Sequence, residues 1–178
     1  MKQAKAIKIL NRWDKQGRYV FRKSDLVYVF DEQGRSLDST LMQLVKNGVL
    51  DRVAHGVYLY AFSRNIGSET LGYIARNLRR GDYTFESLES ALSQYGIISQ
   101  IPIDRITLMT TGRSGEYRTP YGVIEFTHTK AKLEDIVANT IERESNPLPI
   151  ANKHYAFKNL QSVGRNLTLV DKEELHAA

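Results

Sequence analysis

RSLDSTLMQLVKN, Arg35 to Asn47, is the stretch whose reading decides the fold. Leu37, Leu41, Leu44 and Val45 fall at i, i+4, i+7 and i+8, which places four apolar side chains on one helical face. Ser36 has the side chain of an N-cap, and Gly48 stands where a left-handed C-terminal cap is wanted. The outer face is left with Arg35, Ser39, Thr40, Gln43 and Lys46, and Asp38 is its one acid. Such a face is small, hydrogen-bonding and mildly basic. Downstream, VLDRVAHGVYLY holds two β-rich runs around His55-Gly56 and predicts a hairpin. Upstream, SDLVYVF follows Arg22-Lys23 and predicts a second helix, set off by the turn DEQGR. Helix, turn, helix and hairpin is the order of a winged helix-turn-helix, whose second helix is available for a major groove.

Further toward the N-terminus, Ala6, Ile7, Ile9, Leu10 and Trp13 recur at helical spacing, with Lys2, Lys5, Lys8 and Arg12 outside the stripe. Trp13 reads as core. Tyr19-Val20-Phe21 predicts a short strand that pairs with the hairpin, and Leu26, Val27 and Phe30 face inward from the helix that Lys23 or Ser24 opens. Charge separates DNA binding from the docking of another protein, a role that short helices and a hairpin serve equally well. Residues 1–60 hold 11 Lys and Arg against 6 Asp and Glu, whereas residues 61–178 hold 14 against 14. The whole net charge of +5 therefore lies on the N-terminal stretch, as expected of a surface that neutralises phosphates.

With 178 residues and 42% hydrophobic content, the chain suffices for one large or two small packed domains. No apolar run approaches the roughly 18 residues that a membrane crossing needs. MKQAKAIKILNRW is basic but lacks the continuous apolar core and cleavage site of a signal peptide. The chain has no cysteine, which excludes disulfides, thiol catalysis and thiolate zinc sites and fits a reducing cytoplasm.

Residues 61–68 read as a connector. A helix is expected after Ser68, with Leu71, Ile74, Ala75 and Leu78 inward, ending at Arg79-Arg80-Gly81. Beyond it the pattern changes: a strand at Tyr83-Thr84-Phe85, a helix from Ser87 to Tyr95 closed by Gly96, and β-rich runs at RITLMTT and GVIEFTHT. GRSGEYRTPYG between those runs predicts an exposed loop and hairpin. Two helices, 132–144 and 150–160, are expected around NPLP. The reading is an α+β chain with a winged helix-turn-helix over residues 1–62 and a small mixed α/β domain over residues 67–178.

ESLESALSQYGIISQIPIDRITLMTTGRSGEYRTPYGVIEFTHTK resembles the AbiEi antitoxins of bacterial abortive-infection and type IV toxin–antitoxin systems. The shared features are Ser87-Leu88-Glu89-Ser90-Ala91-Leu92, Tyr95-Gly96-Ile97-Ile98, the strand ending Thr110-Thr111-Gly112, Thr119-Pro120 before Gly122, and Glu125-Phe126 with His128. DLVYVF, LMQLVKNGVLDRV and HGVYLY look like the family's winged helix, so the resemblance spans roughly residues 17–165. It implies a repressor that binds inverted repeats in its own promoter and opposes a co-encoded nucleotidyltransferase toxin. It also implies that the antitoxic activity lies in the C-terminal part. The family includes orphan regulators without a toxin as well.

The residues expected at DNA are Arg35, Ser36, Ser39, Thr40, Gln43, Lys46, Arg52 and His55, the last two on the wing. His55 serves equally as a plain turn residue. In the second domain, Arg113, Tyr117, Arg118 and Tyr121 offer a contact surface for a partner, unless the loop is an ordinary hairpin connection. No cofactor, metal or catalytic group is expected. His55, His128, His154 and His176 have no metal-ligand spacing, and Ser87 and Ser90 read as capping and packing residues. The enzyme alternative is a metal-dependent nuclease built on Asp104, Glu125 and Lys130. Its acid and lysine lack the two-residue strand spacing that such sites use.

Overall fold

Leu37, Leu41 and Leu44 are buried, as their spacing demands, but the fourth inward position of that helix is Thr40 and not Val45. The chain is described here by a computed structural model covering residues 1–99 and 104–177. Residues 100–103, inside the block that resembles AbiEi antitoxins, and residue 178 lie outside the described residues. Eight α-helices and two sheets make up the described α+β chain, which divides into two units, Met1–Leu78 and Arg79–Ala178.

The first unit runs α1 (Gln3–Asp14), β1 (Val20–Arg22), α2 (Lys23–Phe30), α3 (Gly34–Lys46), β2 (Leu50–Ala54), β3 (Val57–Tyr60) and α4 (Thr70–Leu78). The Arg22 amide donates to the Asp25 carboxylate at 2.8 Å and so ties down the start of α2, and Asp31, at φ 52°, ends it. Gly34, at φ 58°, lets the chain turn so sharply that α3 begins there, with Gln33 in the N-cap position. Ser36 therefore sits in the first turn and makes no capping bond, contrary to the sequence expectation. Gly48, at φ 69°, closes the helix as expected.

β1, β3 and β2 form an antiparallel sheet in that spatial order, with Val20 opposite Leu59 and Leu50 opposite Tyr60. The hairpin turns on two residues, His55 and Gly56, and the glycine's φ of 69° is what so tight a turn requires. Sequence reading ended this domain at residue 62 and began the next at 67, whereas the first unit extends through Leu78. The reason is polar and aromatic. Tyr19 shares a buried hydrogen bond with Thr70 at 3.0 Å and meets Tyr73 edge-on at 5.6 Å, which fixes α4 to the small sheet. Asp14 gathers the connector by accepting from the Ser63 hydroxyl, the Arg64 amide and the Asn65 side chain.

The second unit follows as β4 (Thr84–Glu86), α5 (Leu88–Gln94), β5 (Arg105–Thr110), β6 (Gly115–Thr119), β7 (Gly122–His128), α6 (Leu133–Ala138), β8 (Thr140–Ile141), β9 (Ile150–Ala151), α7 (Lys153–Val163) and α8 (Lys172–His176). Its six strands lie in the order β6-β7-β5-β4-β9-β8. β7 enters between β5 and β6, parallel to the first and antiparallel to the second. The helix expected over 132–144 is cut to Leu133–Ala138, and the one expected over 150–160 keeps its length but is displaced to Lys153–Val163. After Ala138 the β-branched Thr140 and Ile141 pair with Ala151 and Ile150, and α7 starts at Lys153, where the Asn152 side chain caps the Tyr155 amide. Phe85, Leu88, Leu92, Ile136 and Leu160 form the core, with Tyr155 stacked on Phe85 at 5.9 Å. Burying each such side chain stabilises the unit by about 1.5–3 kcal/mol.

Candidate nucleic-acid interface

Three leucines hold the inner side of α3, so the directions of its outer residues are fixed by the helix itself. Arg35, Ser36, Ser39, Gln43 and Lys46 are all exposed, as the sequence reading expected. Thr40, expected among the DNA-facing residues, is only 4% exposed. Its hydroxyl donates to Glu32 at 2.6 Å and accepts from the Met1 amine at 3.0 Å, so it points into the unit. Its place outside is taken by Met42, which is 70% exposed. On a helical wheel Met42 lies about 140° from Leu37, near the middle of the outer face, a position the list of polar residues had hidden. Val45, expected inside, is 36% exposed.

The unit that carries this face has a net positive charge. The first unit holds 13 Lys and Arg against 7 Asp and Glu, a net +6, and the second holds 12 against 13. Asp38, the one acid on α3, is ion-paired to Lys23 at 2.5 Å, which neutralises it and raises the lysine's pKa. At the far end of the helix, Gln43 donates to Asn47 at 3.2 Å, and Asn47 donates to Gln3 of α1 at 2.6 Å. At the hairpin tip the Arg52 guanidinium lies 3.1 Å from His55 Nδ1, within hydrogen-bond distance. These two exposed residues form one polar tip. Glu32 lies behind the face, and the hydrogen bond from Thr40 holds its carboxyl below the usual carboxylate range.

No protein-family model matches the chain, and no curated protein matches it. The fold is similar to the crystal structure of the RV2827C protein from Mycobacterium tuberculosis, with a TM-score of 0.57 and 17% sequence identity. The match covers 88% of this chain and 60% of that one. At this identity the likeness concerns the fold alone.

In the second unit, Arg113 and Arg118 are exposed, and Arg118 pairs with Glu116 at 3.1 Å. Tyr121 and Tyr117 are half-buried. Tyr117 is a structural residue: its hydroxyl accepts from Arg79 at 3.2 Å, which lowers its pKa, and its ring meets Phe126 edge-on at 5.7 Å. Arg79, which sequence reading treated as a helix end, is buried with its guanidinium 4.1 Å from the Phe126 ring centre and donates to the Arg113 carbonyl at 3.1 Å. The loop before β6 is therefore pinned. His128 adds to this, its Nδ1–H donating to the Gly112 carbonyl at 2.6 Å and its amide donating to Ser114 at 2.8 Å.

The SLES motif is explained by a polar clasp. Thr107 donates its hydroxyl to the Ser87 carbonyl at 2.8 Å and accepts from the Ser90 amide at 3.0 Å, while its own amide donates to Ser90 Oγ at 2.9 Å. Asn159 donates to Ser87 Oγ at 3.0 Å, and Leu88 bridges strand and helix at φ 57°. Burial would raise the Glu89 carboxyl, but two bonds from Arg165 and one from Asn166 hold it below the usual range. Of the three nuclease candidates, Glu125 has both carboxylate oxygens engaged, one by Arg165 and the other by Arg105. Among the described residues no three His, Asp or Glu side chains are placed to hold a metal, although the rings of His154 and His176 lie 6.4 Å apart, tilted by 31°. No helix of the described residues is long and apolar enough to cross a membrane.

Proposed function

We propose that the first unit is a winged helix-turn-helix that binds double-stranded DNA, with α3 in the major groove and the Arg52–His55 tip on the backbone. The observation that carries this reading is the sorting of α3: an apolar inner side, an outer row of Arg35, Ser39, Gln43 and Lys46, and a paired Asp38, on a unit of net charge +6. Phosphate neutralisation then supplies affinity, and the side chains that reach base edges supply the preference. The rival reading, a module that docks another protein, draws on Tyr28, which is 86% exposed on α2. Salt separates the two. With about four to six phosphates neutralised, DNA affinity falls with salt at a log–log slope of about −4 to −5. A salt-independent or undetectable interaction with the DNA upstream of its gene would sink the DNA reading.

The biological role that goes with it is repression of its own operon through inverted repeats, with the second unit opposing a co-encoded nucleotidyltransferase toxin in the cytoplasm. The resemblance of residues 86–130 to AbiEi antitoxins supports this role, and Arg113, Arg118 and Tyr121 are its contact residues. The test is co-expression of the neighbouring nucleotidyltransferase with full-length Gln43→Ala, Arg52→Ala protein. Protection by this variant, which no longer reads its operator, is the expected result. A folded variant that fails to protect where the unaltered chain protects overturns the separation of the two roles.

A further inference from the structure

We infer that Met42 reads the C5 methyl group of a thymine in the major groove, next to an adenine read by Gln43. The inference rests on the DNA reading above and names the base composition that the site takes. Met42 is a large apolar side chain left 70% exposed near the middle of the outer helix face, between Ser39 one turn before and Lys46 one turn after, with the less exposed Val45 at its edge. No packing role explains it, because Leu37, Leu41 and Leu44 fill the inner side. The same three anchors fix where its side chain reaches. Among the groups that base pairs present in the major groove, the thymine methyl is the apolar one. An unbranched, polarisable thioether fits against such a group without demanding a particular rotamer.

Gln43 supplies the second half of the argument. Its side-chain nitrogen gives one N–H to Asn47 at 3.2 Å, and Asn47 is held in turn by its bond to Gln3. One N–H and the carbonyl oxygen remain. That pair is what adenine requires at N7 and N6, and it is wrong for guanine, which offers two acceptors. Adjacent residues on one helix thus carry an adenine reader and a methyl reader, and the half-site contains A·T pairs of defined orientation at neighbouring positions.

The experiment uses the full-length protein. Duplexes are selected from a random pool at fixed salt, and each thymine of the recovered half-site is then replaced singly by deoxyuridine, which removes the methyl group and keeps every hydrogen-bonding group. The expected result is one thymine per half-site whose replacement weakens binding about three- to fourfold, the worth of one buried methyl group. Met42→Ala abolishes that sensitivity without changing the salt slope, and Met42→Leu retains it. If a site is recovered but no thymine responds, or if the response survives in Met42→Ala, the methyl-reading proposal is overturned and the DNA reading stands. If no duplex is retained in a salt-dependent way, both fall together. Circular dichroism checks the fold of each variant, and the exposure of Met42 makes both tolerable.

Discussion

Thr40 and Met42 stand two residues apart on α3 and face opposite ways, and their side-chain chemistry suggests the reverse of what they do. A hydroxyl looks like a reader and a thioether looks like core, yet the threonine is held inside by Glu32 and the methionine is left outside. Replacing Thr40 by Val is expected to cost about 1–2 kcal/mol of stability, because it removes a hydrogen bond from a carboxylate, while base preference stays unchanged. Gln43→Ala is expected to do the opposite, costing on the order of 1–3 kcal/mol of binding at one base position and nothing in stability. Urea melts and binding to a panel of operator variants measure both. A Thr40→Val protein with altered base preference would overturn the inward placement. At this scale the apolar stripe was legible from spacing alone. The polar neighbour that completes it was not, because Thr40 and Val45 flank the stripe at nearly equal angles. A partner distant in sequence, Glu32, decides between them.

Among the elements, α1, α3, the His55-Gly56 hairpin and β5 carry their own local periodicity, and each lies where the sequence placed it. β8 and β9 are two residues long and owe their existence to pairing with each other and with Glu86, so nothing local announces them. The same holds for the arginines that fasten the second unit. Arg143 donates to Glu86 at 2.8 Å and Arg165 to Glu89 at 2.7 Å, and both carboxylates are buried, the first at the end of β4 and the second in the first turn of α5. Glu89→Gln is expected to destabilise this unit by about 2–3 kcal/mol, since Arg165 would lose the carboxylate charge and one of its two acceptors while keeping Glu125. The sign with pH follows from the lowered Glu89 pKa. Its contribution is complete above the ordinary glutamate value and is lost as pH falls through the lower value of the folded chain. The stability gap between wild type and Glu89→Gln should therefore be full at pH 7 and close on acidification below about pH 4. A gap that widened in acid would contradict the assignment.

For the molecule as a whole, the boundary at Leu78 and Arg79 has a direct consequence for dissection. A fragment of residues 1–66 lacks α4, leaves the Tyr19 hydroxyl without Thr70 and exposes one side of the small sheet. A fragment of residues 1–78 should melt cooperatively and at a distinctly higher temperature, which circular dichroism would show. Equal melting of the two would argue that α4 is dispensable. The sequence marked where composition changes but not where packing changes, since the tyrosine pair that holds α4 is formed across some fifty residues of chain. The strand order of the second sheet carries a different consequence, one of timing. β5 is made before β6, yet its neighbour on that side is β7, which the ribosome delivers last of the three. Until residue 128 has emerged, the nascent chain holds β5 with one edge open and β6 without its full partner strand. Synthesis that stalls between Thr119 and His128 would therefore release a chain with an unpaired edge of six residues, Arg105–Thr110, exposed to every other chain in the cell.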